Sequence, residues 1–209
     1  MLTILKTYQN QLGVTASKDQ LDLTRKRTIN QLKQHTAEIA IETIRTRNTQ
    51  LEVRVRNKAG HKFPTGFPSR RAWLHFIARD AGGKVILESG GFAASGAITG
   101  NNADSDLKGY ERHYDIIDGS DKVQIYEGIM KNPGGAITYT LLEAGDFIKD
   151  NRLLPKGFRK DRADSSMAVK GNALKYNTFI KNEEVNVFIR EFDRHNRPAI
   201  ISKAEKVYK

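Results

Sequence analysis

The sequence predicts a mostly β protein, an antiparallel β-sandwich of about seven strands with N-terminal helices and long inserted loops. Apolar and polar residues alternate in several short segments, most clearly over 51–56, as in a half-buried strand. Glycine-rich turns at 80–83 and 132–135 separate such segments and favour hairpins. The 209 residues are enough to bury a core.

Residues 1–35 have a helical pattern. Ser17 can cap a helix whose first turn contains Asp19, with Leu21, Thr28 and Leu32 along one side. This apolar stripe is thin, so the helix is either peripheral on the sheet or packs against something outside the chain. Since the period changes to two at Ala37, we expect a helical segment at 1–36 and a β-sandwich domain at 37–209.

The strand pattern recurs along the rest of the chain. The predicted strands are 39–41, 49–57, 71–80, 84–89, 123–129, 136–142, 185–189 and 199–207. A short helix is expected around 143–150. The expected core positions are Leu51, Val53, Val55, Leu74, Phe76, Val123, Ile125, Val187 and Ile189. Two long polar connections, 90–122 and 143–172, are of a length that is usually functional or docked against a partner.

Composition excludes several functions. The chain has no cysteine, which rules out disulfides, thiolate metal sites, cysteine nucleophiles and covalent c-type haem attachment within it. The net charge of +11 invites an anionic partner, but the cations are scattered and no nucleic-acid motif accompanies them. The chain has no run of about 18 apolar residues, so no membrane span is predicted. The N-terminus is not a secretion signal, so we expect a cytosolic protein or a piece of a longer secreted one.

The connector between the strands at 51–56 and 72–78 is the most distinctive segment, NKAGHKFPTGFPSRRAWLH. Its prolines, Pro64 and Pro68, fix φ, and Gly60 and Gly66 permit backbone shapes that other residues resist. A rigid loop on a β scaffold is suited to presenting a side chain.

His61 is the side chain that this loop presents. An imidazole there can ligate a metal or haem iron, shuttle a proton, or cap a backbone carbonyl. The nearby cations Lys62, Arg70 and Arg71 suit carboxylates such as haem propionates.

A second cluster contains hard oxygen ligands, Asn102, Asp104 and Asp106 after Asn101, on a glycine-containing loop that suits Ca²⁺. The spacing does not match an EF-hand, and a hydrated turn is the alternative. A weaker group of the same kind is Asp161, Asp164 and Ser165.

An enzymatic interpretation would use His113 as a general base beside Asp115. No serine elbow, phosphate-binding loop, dinucleotide fingerprint or His-Glu-x-x-His motif accompanies it. The sequence therefore favours a protein that is not an enzyme.

Several strings resemble the haem-free C-terminal β domain of multihaem c-type cytochromes from anaerobic, metal- and sulfur-respiring bacteria. They are GHKFPTGFPSRRAWLH (60–75), ESGGF (88–92), YERHYD (110–115), VQIYEGIM (123–130) and LLEAGDFIKDNRLLPKGF (141–158). The resemblance runs from about Leu12 to Asn172, and LGVTAS with its helix is similar to the junction with a haem-bearing segment. This chain departs from that family because it has no CxxCH.

The resemblance implies a non-catalytic accessory or scaffold domain of an electron-transfer system, periplasmic or extracellular. Its cofactor would be haem c held by another segment or chain, with His61 as a distal ligand and Lys62, Arg70 or Arg71 near the propionates. The partner would be that haem-bearing segment or subunit, and oligomers could form through sheet edges. The alternative is a calcium-dependent carbohydrate- or protein-binding sandwich that uses the 90–122 loop.

Overall fold

The computed structural model describes residues 1–45, 50–66, 70–158, 170–171, 184–189 and 200–208. Helix α1 spans Leu2–Thr7 and α2 spans Lys18–Asn30, followed by a π turn at Gln31–His35. Ser17 caps α2 as predicted, in a capping box with Gln20. No helix among the described residues is long and apolar enough to cross a membrane.

Strands make up most of the remaining regular structure. They are β1 (Ala37–Arg45), β2 (Gln50–Asn57), β3 (Arg71–Arg79), β4 (Val85–Ser89), β5 (Ile116–Ile117), β6 (Ile125–Lys131), β7 (Ile137–Thr138), β8 (Asp146–Asp150), β9 (Lys170–Gly171), β10 (Glu184–Ile189) and β11 (Ile200–Tyr208). Short 3₁₀ turns lie at Asn102–Asp104 and Leu141–Glu143.

The strands form two sheets, which confirms the mostly β prediction. The first has the order β1-β2-β10-β5, and the second has the order β11-β3-β6-β8-β9 with β4 on β3 and β7 on β6. Pairing is antiparallel except between β10 and β5.

The main core lies between the sheets, because its buried residues come from strands of both. It includes Leu51, Val53, Val55, Leu74, Phe76 and Ile189, all predicted core positions. A second cluster, Trp73, Ile98, Val123 and Ile125, lies on the opposite face of β3 and β6. Since Ile98 and Val123 belong to or border the 90–122 loop, this loop is docked on the chain's own sheet. The side chain of Val187 is outside the described residues.

Two local predictions were wrong. Residues 143–150 do not form a helix: after the 3₁₀ turn, Asp146–Asp150 is a strand paired with β6. The predicted strand at 136–142 is reduced to Ile137–Thr138. In both places pairing with β6 decides the conformation, and tertiary context overrides local preference.

Candidate functional site

The His61 loop, which we define as 58–66, is closed by one buried side chain at the end of β2. The Asn57 amide nitrogen donates to the carbonyls of His61 at 2.8 Å, Leu153 at 3.2 Å and Leu154 at 2.9 Å. Its oxygen accepts from the Ala59 amide at 2.9 Å. Asn57 is fully buried, so these bonds form without competition from water.

The loop is also paired with the segment that follows β8. Phe63 and Leu153 exchange backbone hydrogen bonds of 2.9 and 2.8 Å, and the Lys156 amide donates to the Ala59 carbonyl at 3.4 Å. The Phe63–Pro64 peptide is cis. The strings GHKFPTG and NRLLPKG, which both carry the resemblance, are therefore in contact with each other.

A buried ion pair completes the attachment. Asp150 accepts two bonds from Arg152, at 2.7 and 2.8 Å, and one from the Lys62 ammonium at 2.7 Å. Burial alone would raise the pKa of Asp150, but the Arg152 bonds and the Lys62 charge outweigh it and lower that pKa. The carboxylate is thus ionised at neutral pH and holds Lys62 against the sheet.

His61 itself lies on the surface of this fixed loop. Its ring is exposed, and Nδ1 is 2.9 Å from the Lys62 carbonyl oxygen. A carbonyl oxygen can only accept, so Nδ1 carries the proton and Nε2 of the neutral ring carries the lone pair. Among the described residues, Nε2 has no hydrogen-bond partner. A neutral imidazole arranged in this way can ligate a metal ion.

The glycines of the loop do not use the left-handed conformation that glycine permits. Neither Gly60 nor Gly66 is among the glycines with positive φ, and a Cβ at Gly60 would meet no atom within 4 Å. The loop is held in place by the contacts of Asn57 and Lys62.

The predicted propionate-binding cations are used in different ways. Lys62 is paired with Asp150 as above, and Arg71 donates to Asp104 at 2.7 Å and to the Gly96 carbonyl at 2.9 Å. Arg70 is exposed and donates to the Thr65 hydroxyl. The structure therefore places His61 and Arg70 at the surface. Lys62 and Arg71 instead pair with carboxylates of the chain itself.

The predicted calcium ligands form an internally bonded turn. Asp104 accepts from Arg71 and, at 2.7 Å, from the Ile98 amide, while Asp106 accepts from the Lys108 amide at 2.9 Å. The Asn102 amide donates to Glu111 at 3.2 Å.

In the described part of the chain, no three His, Cys, Asp or Glu side chains are grouped to hold a metal ion. The calcium site at Asn102, Asp104 and Asp106 stays a prediction. The weaker group at 161, 164 and 165 lies outside the described residues.

His113, the candidate general base of the enzymatic interpretation, is buried. Its Nδ1 accepts from Gln124 at 2.7 Å and from Asn151 at 3.0 Å, so the remaining proton is on Nε2, 3.5 Å from Asp115. Burial lowers the pKa of His113, an effect that Asp115 opposes only in part, and the ring is therefore neutral at pH 7.

Sequence reasoning missed a buried lysine beside this histidine. Lys149 donates to the Glu111 carbonyl at 2.7 Å, the Ile125 carbonyl at 3.2 Å and the Glu127 carboxylate at 2.8 Å. Its side chain is only 1% exposed. The mistaken helix at 143–150 concealed it, because the strand pairing of Lys149 with Ile129 is what turns it inward.

The comparisons with known proteins give one weak structural likeness. No family model and no curated protein matches the chain. It is similar to a penta-heme cytochrome c552 from Thermochromatium tepidum, with 18% identity, a TM-score of 0.40, and coverage of 76% of this chain and 29% of the cytochrome chain. The chain thus spans less than a third of that protein's length, and its function has to be argued from its own residues.

Proposed function

We propose that this chain is a non-catalytic accessory domain of a multihaem c-type cytochrome electron-transfer system, and that His61 supplies an axial nitrogen to a haem iron held by another segment or chain. The observation that carries the proposal is the exposed side chain of His61, whose Nδ1 is bonded to the Lys62 carbonyl, which leaves Nε2 as the nitrogen that can ligate.

The hydrogen bond at Nδ1 has a specific chemical effect. Histidines that ligate metals usually donate their other ring nitrogen to a carbonyl or carboxylate, which fixes the tautomer and raises the basicity of the ligating nitrogen. The contact of His61 Nδ1 with the Lys62 carbonyl is of this kind.

The fixed loop makes the ligand pre-organised. Asn57, the Phe63–Leu153 pair and the Lys62–Asp150 ion pair hold the backbone on both sides of His61. Ordering of the loop has occurred on folding, so binding iron carries less of that entropic cost.

The residues present fit a haem held elsewhere. With no cysteine in the chain, the thioether attachment has to come from the partner. Of the three cations predicted to meet propionates, Arg70 is the exposed one and is therefore the one that we assign to a propionate. When bound, the haem supplies one-electron chemistry by cycling its iron between ferric and ferrous states. The proposed function requires that the chain is located in the periplasm or outside the cell.

The test is a spectral titration with a ferric haem peptide whose iron has one histidine ligand and one open axial position. We expect the full-length chain to shift the Soret band to its low-spin position, and His61→Ala to weaken this binding at least tenfold. His35→Ala is the matched control, because His35 is also exposed but lies at the end of the helical segment.

Free imidazole at equal concentration gives the baseline. An identical titration for wild type and His61→Ala, or a wild-type shift no larger than that of imidazole, would refute the ligand role. A loss in His35→Ala as large as that in His61→Ala would show that the effect is not specific to position 61, and this too would refute the assignment.

A further inference from the structure

The N-terminal helices form a surface that the other described residues leave largely uncovered. In α1 and α2 together, Leu21 is the one buried residue. Isolated helices of this length are marginal in water, and most helices in proteins are stabilised by packing a whole apolar face. A helix with one buried side chain therefore lacks most of the packing that usually stabilises a helix.

Apolar side chains are exposed on this surface. Ile4 on α1 is 55% exposed, Tyr8 at the end of α1 is 50% exposed, and Leu12 in the connection that follows is 53% exposed. On α2, Leu23 is 48% exposed. Apolar groups that cluster on a helical surface rimmed by polar ones mark interaction sites.

The helices nevertheless have a defined arrangement. Ser17 and Gln20 form the capping box of α2, and Lys6 of α1 pairs with Asp22 of α2 at 2.5 Å. The Gln9 amide donates to the Ala16 carbonyl across the connection. The α1–α2 hairpin is thus a preformed surface.

Its charge indicates which kind of partner covers it. Leu23 is followed one turn later by Lys26 and Arg27, which are its neighbours on the helix and are exposed. Arg25 and Lys33 add two more exposed cations. Since the whole chain carries +11, a second copy would be repelled, whereas an acidic surface would be attracted.

The hairpin is connected to the His61 loop. The Lys58 amide donates to the Thr36 carbonyl at 3.0 Å, and the Lys58 ammonium donates to the Gln34 carbonyl at 3.2 Å. His61 lies three residues further along the chain. One partner can therefore contact both the end of the helical segment and the exposed imidazole.

We propose that the α1–α2 hairpin is the docking surface for an acidic patch on the haem-bearing partner, with the exposed side chains of Ile4, Tyr8, Leu12 and Leu23 supplying the apolar contact and Arg25 to Arg27 the charge. The proposal rests on the proposed function and adds the surface by which the partner is recognised.

The experiment is site-specific photocrosslinking of the full chain in cells of its source organism. Benzoylphenylalanine replaces Leu23, and the control position is Val85, an exposed apolar residue on β4. Because c-type haem stays covalently attached in a denaturing gel, a crosslinked band that stains for haem identifies the partner. We expect such a band from position 23 and none from position 85.

Charge variants test the electrostatic part. Arg25→Gln with Arg27→Gln should reduce the crosslinked yield at least about threefold at low salt. Lys84→Gln with Lys108→Gln removes the same charge from other exposed positions and should leave the yield unchanged. Far-UV circular dichroism confirms that the helices remain.

Three outcomes would overturn the docking surface: a crosslink to a second copy, a product without haem, or equal yields from positions 23 and 85. These are separate from failure of iron ligation, because the small haem peptide used for His61 tests the imidazole alone. If the haem-peptide titration depends on His61 but no haem-stained crosslink forms, only the hairpin is rejected as the docking surface. If the titration is the same in His61→Ala as in the wild type but a haem-stained crosslink forms, only the ligand role is rejected.

Discussion

His61 and His113 both lie in strings that carry the same family resemblance, yet the fold gives them opposite properties. His61 donates from Nδ1 to a carbonyl and presents Nε2 to solvent, whereas His113 accepts at Nδ1 from two amides inside the protein. In their neutral forms the two rings are therefore opposite tautomers. The comparison teaches that a distinctive histidine becomes a candidate ligand or a structural acceptor according to the partner of its Nδ1.

The surroundings differ in the same way. The His61 ring is attached to the protein through one hydrogen bond on a clamped backbone, so removing it leaves no buried group unpaired. The His113 ring satisfies Gln124 and Asn151, which are both fully buried, and removing it leaves their donors without an acceptor. Stability should thus respond to changes around His113, and iron ligation to changes at His61.

The largest effect is expected from Lys149→Ala, beside His113. The substitution leaves the Glu127 carboxylate buried without its cation and should destabilise the fold by about 3–5 kcal/mol in urea unfolding. Lys131→Ala is the control, because its pair with Asp146 is 3.6 Å long and exposed, and its loss should be about 0.5 kcal/mol. Equal losses for the two variants would show that the buried network is not what stabilises this sheet.

Gly90→Ala should be next, at about 3 kcal/mol, because it combines a left-handed conformation with a clash. Gly90 has φ +73°, and an added Cβ would lie 2.3 Å from the Leu74 carbonyl oxygen, where the 90–122 loop begins. The matched change in the other loop, Gly60→Ala, meets open space and should alter stability by no more than about 0.5 kcal/mol. Thermal and urea unfolding of both variants measure the difference, and a tolerated Gly90→Ala would contradict the close packing of this loop.

His113→Gln should cost about 2 kcal/mol at pH 7.5 and also change the pH dependence of stability. Because the folded pKa of His113 lies below its ordinary 6.5, the unfolded chain takes up the proton first as the solution is acidified. The wild type should thus have its full stability above pH 6.5 and lose part of it as the pH falls towards the folded pKa.

The free energy of unfolding of His113→Gln should decline less between pH 7.5 and pH 5 than that of the wild type. If the slope is unchanged in His113→Gln, His113 is not the group that titrates.

These differences also define what the sequence could predict. The alternation of apolar and polar residues located β2, β3 and β6 and most of the core, because a strand that buries one face carries an apolar residue at every second position. It failed at Asp146–Asp150, where a charged strand is held by pairing with β6 and by the inward Lys149. Such pairing depends on residues about 20 positions away, which a local pattern does not contain.

The candidate site was predicted in the same partial way. The string around His61 identified the exposed ring, since prolines and a histidine in a short connector are visible in sequence. The clamp that fixes the ring was not visible, because Asn57 bonds to residues 153 and 154, and Lys62 to residue 150. Long-range polar contacts, and not the loop's glycines, therefore decide its rigidity.

The smallest effect is expected from Arg71→Gln, which separates the two loops once more. The Arg71–Asp104 pair is partly exposed, with side chains 23% and 21% exposed, so its loss should cost about 0.5–1 kcal/mol and less at high salt. Although burial raises the pKa of Asp104, the Arg71 and Ile98 hydrogen bonds lower it overall, and the pair's contribution should be lost only as the pH falls below 3.8. Urea unfolding at several pH values measures both effects. The same variant should shift the Soret band of the haem peptide as the wild type does. A titration weakened as much as in His61→Ala would instead place Arg71 at the haem, as the sequence predicted. It would then contradict the division between a stabilising loop at 90–122 and a loop at 58–66 that we propose presents the ligand.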